Sequence, residues 1–170
     1  MKNKLHFLFL IGLVTLLTGC SFGGDYKAPI SKNIGEELQC SEYEKYTVTV
    51  DRYDFKTGDI DSYHTIPDGH EWIGVVVTVK NMGEDEMQVH VDNFNIINSN
   101  GERIKPDTLT YNVWGINPLD NVNLVSGGTS SGYINFSNNS QDISNLKLEF
   151  VCDRNSFIST DDTRYEIPLN

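Results

Sequence analysis

The run from Ile73 to Val79, inside EWIGVVVTVKN, constrains the fold more than any other segment of this chain. Its β-branched side chains lose rotamer freedom in a helix and pack well on a pleated surface. The run therefore reads as a central strand, with Ile73, Val75, Val77 and Val79 on one face. The same period of two recurs along the chain. Tyr46, Val48 and Val50 oppose Thr47 and Thr49; Met87, Val89 and Val91 share a face, as do Ile134 and Phe136. Leu146, Leu148, Phe150 and Cys152 form another such set, and Tyr165 and Ile167 a last one. FNIINSNGERI reads as a hairpin turning at Asn100-Gly101. Turn residues at Pro67-Asp68-Gly69, Asn98 to Gly101 and Ser126-Gly127-Gly128 punctuate these runs at spacings that suit a sandwich or barrel. Two sheets closed on an apolar interior are the expected result.

The N-terminus sets the expected location. MKNK is followed by 13 mostly apolar residues from Leu5 to Leu17 and a small-residue site, the tripartite form of an export signal. That run falls short of the roughly 20 residues that span a bilayer as a helix. Leu17-Thr18-Gly19-Cys20 resembles the bacterial lipobox, which implies cleavage before Cys20 and a diacylglyceryl group on its sulfur. Stable anchoring needs about two acyl chains, and that group supplies two. The expected partner of the N-terminus is thus the cell membrane, with the protein lipid-anchored and facing the extracytoplasmic side. Residues 1–19 are read as the signal peptide, 20–37 as a flexible tether and 38–170 as the folded domain. About 15 residues of Gly- and Ser-containing linker have an end-to-end distance on the order of 20 Å, which holds the domain near the membrane.

The full chain has 13 basic and 24 acidic residues, a formal charge of −11. Loss of Lys2 and Lys4 with the signal peptide leaves 11 and 24, a charge of −13. Nucleic-acid binding needs clustered Lys and Arg to neutralise phosphate, so no nucleic-acid partner is expected. The acidity suits a solvated surface or attraction of a cation or basic partner.

Assigning Cys20 to the membrane leaves Cys40 and Cys152 of the three cysteines. Cys152 shares the Leu146, Leu148, Phe150 face, and Cys40 continues the even positions from Leu38 to Tyr46 if the chain stays extended between them. Outside the cytoplasm two inward cysteines in one small domain are expected to pair; the alternative is two buried thiols acting as small apolar residues.

Ile66 to Ile104, IPDGHEWIGVVVTVKNMGEDEMQVHVDNFNIINSNGERI, followed by Val125 to Phe136, VSGGTSSGYINF, resembles a widespread family of small immunoglobulin-like domains. These occur on secreted proteins and lipoproteins, mainly of Gram-positive bacteria, in the superfamily of the mycobacterial immunoprotective antigen. The matching positions are Gly69, Val79-Lys80-Asn81, Phe94, Asn100-Gly101 and Gly128 to Phe136. The family's usual Pro-Gly before the later strand is Ser126-Gly127-Gly128 in this chain. The resemblance implies an all-β fold, an immunoglobulin-like antiparallel β-sandwich, and a place outside the cell. It brings no catalytic residue with it.

Three constellations bear on function. Gly128-Thr129-Ser130-Ser131-Gly132 fits G-x-S-x-G, but a nucleophile elbow needs a strand turning into a helix with a later histidine. Here strand-like YINF follows, and the last histidine is His90. Asp51, Asp54, Asp59, Asp61, His64, Asp68, His70 and Glu71 crowd one region, yet their spacing fits neither a calcium loop nor a His pair for zinc. Small-ligand or divalent-cation binding through Asp51 to Glu71 is the alternative function. His64 and His70 are read either as surface residues or as pH-responsive contacts. YNVWGINPLDNV offers Tyr111, Trp114 and Ile116 as partner-binding residues, since loop aromatics are frequent anchors. The competing reading folds Trp114 back over an open end of the sandwich. The expected function is non-enzymatic: a membrane-anchored module that binds a protein or envelope component, with no catalytic residue, no metal and no cofactor.

Overall fold

Ile73, Val75, Val77 and Val79 all lie in the apolar core, on the centre of a four-stranded sheet. The structure, a computed structural model, describes residues 28–41, 45–88, 90–107, 113–119, 121, 123–138, 143–152 and 163–169. Its strands in chain order are β1 (Ile30–Ser31), β2 (Glu37–Cys40), β3 (Tyr46–Thr57), β4 (Glu71–Asn81), β5 (Met87–Gln88), β6 (Phe94–Ile97), β7 (Arg103–Ile104), β8 (Asn123–Leu124), β9 (Thr129–Asn138), β10 (Lys147–Val151) and β11 (Arg164–Pro168). One sheet has the order β1-β11-β10-β6-β7 and the other β2-β3-β4-β9, with β5-β8 as a short separate ribbon. The protein is a β-sandwich, and every paired strand is antiparallel to its neighbour except β1, which runs parallel to β11.

The two inner faces meet through Leu38, Val48, Val50 and the odd positions of β4 on one side. Phe94, Ile96, Leu148, Phe150, Tyr165 and Ile167 face them from the other. Phe94 and Phe150 lie with ring centroids 4.8 Å apart. The even-position pattern of β3 changes at Asp51, where a bulge shifts the register against β4 from Val50–Val77 to Arg52–Val76. One extra residue inverts the parity, so Tyr53 and Phe55 rejoin the core face.

Four local expectations are corrected. The segment read as a tether to residue 37 already takes part in the fold from Ile30. β1 pairs with β11, the Lys32 amide donates to the Glu166 carbonyl (3.0 Å), and the Gly35 amide donates to Val50 (2.9 Å). Two paired residues are too short to leave a period in the sequence. Second, Cys40 does not continue an extended chain into Tyr46. It ends β2, which folds back so that Cys40 opposes Tyr46 across an antiparallel pair. Its inward direction follows from β2 itself, where Leu38 and Cys40 are buried and Glu37 and Gln39 exposed. Third, MQVHV is not a full strand: β5 ends at Gln88, Val89 lies outside the described residues, and Val91 opens a 3₁₀ turn to Asn93. Fourth, the hairpin after Phe94 has the loop Asn98–Glu102 rather than a two-residue turn. Asn98 Oδ1 accepts the amides of Asn100 (3.0 Å) and Glu102 (2.9 Å), and Gly101 takes φ +79°.

Cys40 and Cys152 form a disulfide, with Cα atoms 5.6 Å apart and a sequence separation of 112. It joins β2 of one sheet to the end of β10 in the other. The Tyr165 hydroxyl adds a bond to the Gln39 carbonyl (2.7 Å) at the same place.

Candidate functional site

The outer face of the four-stranded sheet is overlaid by chain. β4 presents Trp72, Gly74, Val76 and Thr78 outward, and β9 presents Tyr133 and Asn135 beside them. Residues 113–119 lie across this face and bond to the free side of β9: the Tyr133 amide donates to the Asn117 carbonyl (3.1 Å), and the Leu119 amide donates to Tyr133 (2.8 Å). Trp114 sits on Gly74, where a Cβ would overlap its indole. Its Nε1 donates to Asn135 Oδ1 (3.1 Å), and its carbonyl accepts a bond from Arg52 Nη2 (3.0 Å). Val76 and Tyr133 form a second apolar cluster with Ile60, Val113, Trp114 and Ile116 packed on it.

Trp114 and Ile116 are therefore brought together, on the sheet's outer face and not over an open end. Tyr111 and Cys20 lie outside the described residues. Trp72, on the same outer face, is buried, donating from Nε1 to the Gly58 carbonyl (3.1 Å). The covered outer face explains why Ile73 to Val79 is apolar nearly throughout instead of alternating with polar residues. Gly74→Ala should displace Trp114 from the sheet while leaving Trp72 in place. Acrylamide quenching of tryptophan fluorescence is expected to rise, with about half the emission becoming accessible; quenching identical to the parent would show that the indole does not need that slot.

The acidic region from Asp51 to Glu71 is organised by local bonds. Asp59 Oδ1 accepts the Ile66 amide (3.0 Å), and Asp51 Oδ2 accepts the Thr78 hydroxyl (2.7 Å). Asp61 Oδ1 accepts the amides of Tyr63 (2.6 Å) and His64 (2.8 Å), while its Oδ2 lies 2.9 Å from His64 Nδ1. Desolvation works to raise the Asp61 pKa, but the bonds from His64 and Tyr63 outweigh it and hold the carboxyl below its usual range. Partial burial pushes Asp107 the other way, opposed by the charge of His64 and the Ser137 amide. His70 Nδ1, Glu71 Oε2 and Asn135 Nδ2 are buried without a protein partner. Among the described residues, no three His, Cys, Asp or Glu side chains converge on a point that could hold a metal ion. The Asp61 turn instead fixes the backbone of Tyr63, which is 90% exposed, on the loop whose Ile60 packs with Trp114 on the Val76–Tyr133 cluster.

Ser130 of the G-x-S-x-G stretch lies in β9, where its backbone pairs with Val79, and Ser131 Oγ lies 2.7 Å from the Thr78 hydroxyl. The motif enters a strand, as its sequence context predicts. Asn81, in the Val-x-Asn motif, is 1% exposed and ties the β4–β5 loop to β8. Its Nδ2 donates to the carbonyls of Asp85 (2.7 Å) and Leu124 (2.8 Å), and its Oδ1 accepts the Gly83 amide (2.8 Å). Between the sheets, the crevice lined by Tyr46, Met87, Phe94 and Phe150 leaves about 10 Å³, enough for about one water. One group the sequence reading missed is Glu149, 1% exposed on the outer side of β10. Arg103 donates to both its oxygens (2.8 Å each) and Asn95 to Oε2 (3.1 Å).

Comparison with known proteins agrees with this architecture. The yjhA protein from Bacillus subtilis has 21% identity and a TM-score of 0.60, over 81% of this chain and 98% of its own. MPT63, a secreted protein from Mycobacterium tuberculosis, has 18% identity and a TM-score of 0.57, over 82% and 98%. A candidate lipoprotein (ycdA) from Bacillus subtilis has 14% identity and a TM-score of 0.58, over 78% of this chain and 38% of its own. Among curated proteins none matches the chain. Residues 33–163 match the family described as a domain of unknown function (DUF4352), a span that takes in β2 to β10 and the disulfide, and the chain belongs to that family.

Proposed function

We propose that this protein is a non-enzymatic binding module, held on the extracytoplasmic side of the cell membrane by a diacylglyceryl group on Cys20. Its contact surface is the overlaid outer face of the sheet β2-β3-β4-β9. The observation that carries the reading is Tyr63, 90% exposed on a turn whose backbone amides are tied to Asp61. A large amphipathic side chain with few rotatable bonds, exposed on a fixed backbone, loses little entropy on binding, which is why tyrosine is enriched at interfaces. Ile60 of the same loop packs on the Val76–Tyr133 cluster together with the half-buried Trp114 and Ile116, which supply the apolar part of the surface. The export signal, the lipobox and the likeness to a secreted protein and a candidate lipoprotein support the location. Among the described residues no helix is long and apolar enough to cross a membrane.

The test is a photo-crosslinking amino acid placed at Tyr63 in the full chain, in its own envelope. A discrete adduct is expected from position 63 and none from Glu102, which is exposed on the opposite sheet's hairpin. The same adducts from both positions, or none from 63, would remove this face as the contact surface.

A further inference from the structure

The lateral edges of the sandwich are closed by segments that change sheet. On one side the chain leaves β1 in the first sheet and becomes β2 in the second. On the other, β7 pairs with β6 of the first sheet, and a few residues later the Asp107 amide donates to Asn135 of β9 (2.7 Å) in the second. The longest stretch left open among the described residues is in β3. β2 ends its pairing opposite Thr49, and from Arg52 to Thr57 the strand is paired to β4 alone. The bulge at Asp51 marks the start of this open edge, which is about 20 Å long at ~3.3 Å per residue. Arg52, Asp54 and Lys56 project from its outer face. Tyr53 and Phe55 face inward and are half-buried, with ring centroids 5.5 Å apart.

An open strand edge is a template for another strand, and the charges on it decide which strand fits. We propose that this edge joins two copies of the chain, antiparallel, about a two-fold axis at Phe55. In that register Asp54 of each copy lies opposite Lys56 of the other, and Phe55 lies opposite Phe55. All the paired residues from Tyr53 to Thr57 fall within the open stretch. The neighbouring symmetric registers are worse. An axis at Asp54 sets Asp54 against Asp54 and Arg52 against Lys56. An axis at Tyr53 drives the second copy past Asp51 to Val50, whose carbonyl already accepts the Gly35 amide. The joined sheets make one eight-stranded sheet with the isologous contact expected of a two-fold dimer.

The test uses single-cysteine changes in the full chain, expressed in its own membrane and oxidised mildly. Asp54→Cys and Lys56→Cys, co-expressed, should give a disulfide-linked dimer on a non-reducing gel at least ten-fold stronger than either variant alone or than Glu102→Cys. Dimer from Asp54→Cys alone at the mixed level would overturn the register. Dimer in the mixture no stronger than from Glu102→Cys would overturn the interface. As a second measurement, Asp54→Lys should lower crosslinked dimer of the parent chain by a similar factor, using an amine-independent photo-crosslinker. Asp54→Lys combined with Lys56→Asp should restore it; no recovery would exclude the charge pairing.

Discussion

Replacing Cys40 and Cys152 with alanine should lower the unfolding free energy by about 4 to 5 kcal/mol, on the chain-entropy value for a loop of this length. The disulfide closes 112 positions of sequence, so its loss releases most of the unfolded chain. Domains of this kind hold about 5–15 kcal/mol in all, and the variant is left near the margin of folding. The measurement is urea unfolding of the parent and double variant at pH 7. The midpoint should fall sharply and the slope rise modestly, because the open unfolded chain exposes more surface. A difference under about 1 kcal/mol would mean that the two sheets hold together without the cross-link. Both cysteines are 3% exposed, so reductant alone should act slowly on the folded protein and quickly once urea opens it.

The second large effect belongs to Glu149. The bidentate bond from Arg103 lowers its pKa, burial opposes that, and the charges of Arg103 and Arg164 and the Asn95 amide add to the lowering. The folded carboxyl therefore titrates below its ordinary value of 4.5. A depressed folded pKa contributes stability that is present above the unfolded pKa and is lost as pH falls through the folded one. Parent stability should thus decline on going below about pH 4.5, and Glu149→Gln should flatten that limb. The arginine matters more than the charge it neutralises. Arg103→Met leaves an ionised carboxylate 1% exposed with only the Asn95 amide and the charge of Arg164 to offset its burial, at a cost of about 3 kcal/mol, the low end for a broken buried pair. Glu149→Gln leaves only a half-exposed guanidinium and should cost clearly less. Equal losses at pH 7, or a Glu149→Gln variant with the parent's acid limb, would contradict this assignment.

What could be read from the sequence depends on the length over which a physical signal repeats. β4, β9 and β10 are long enough for a period of two to stand out, and their inward residues are those expected. β1, with two paired residues, leaves no period, so Ile30 and Ser31 read as linker. The bulge at Asp51 is visible in hindsight as a change of parity, from Tyr46, Val48 and Val50 to Tyr53 and Phe55. Cys40 and Cys152 were recoverable because parity within single strands points both inward. Trp114 was recognised as a candidate, but its seat was missed. The available signal was Gly74: a glycine in the middle of a β-branched strand marks a close approach, and the indole is what approaches. The Arg103–Glu149 pair depends on β6 lying between β7 and β10 in a fixed register, information that no local pattern contains.

The cross-sheet disulfide also determines how the molecule responds to tension. A pull applied between the two ends of the chain can strip β1 from β11 and β2 from β3, but at Cys40 the load passes through the sulfur bridge to Cys152. The intervening strands β3 to β10, with the whole overlaid face and Tyr63, lie outside the load path. Under such a pull the domain would lengthen only by its outer segments, and the overlaid face would keep its shape.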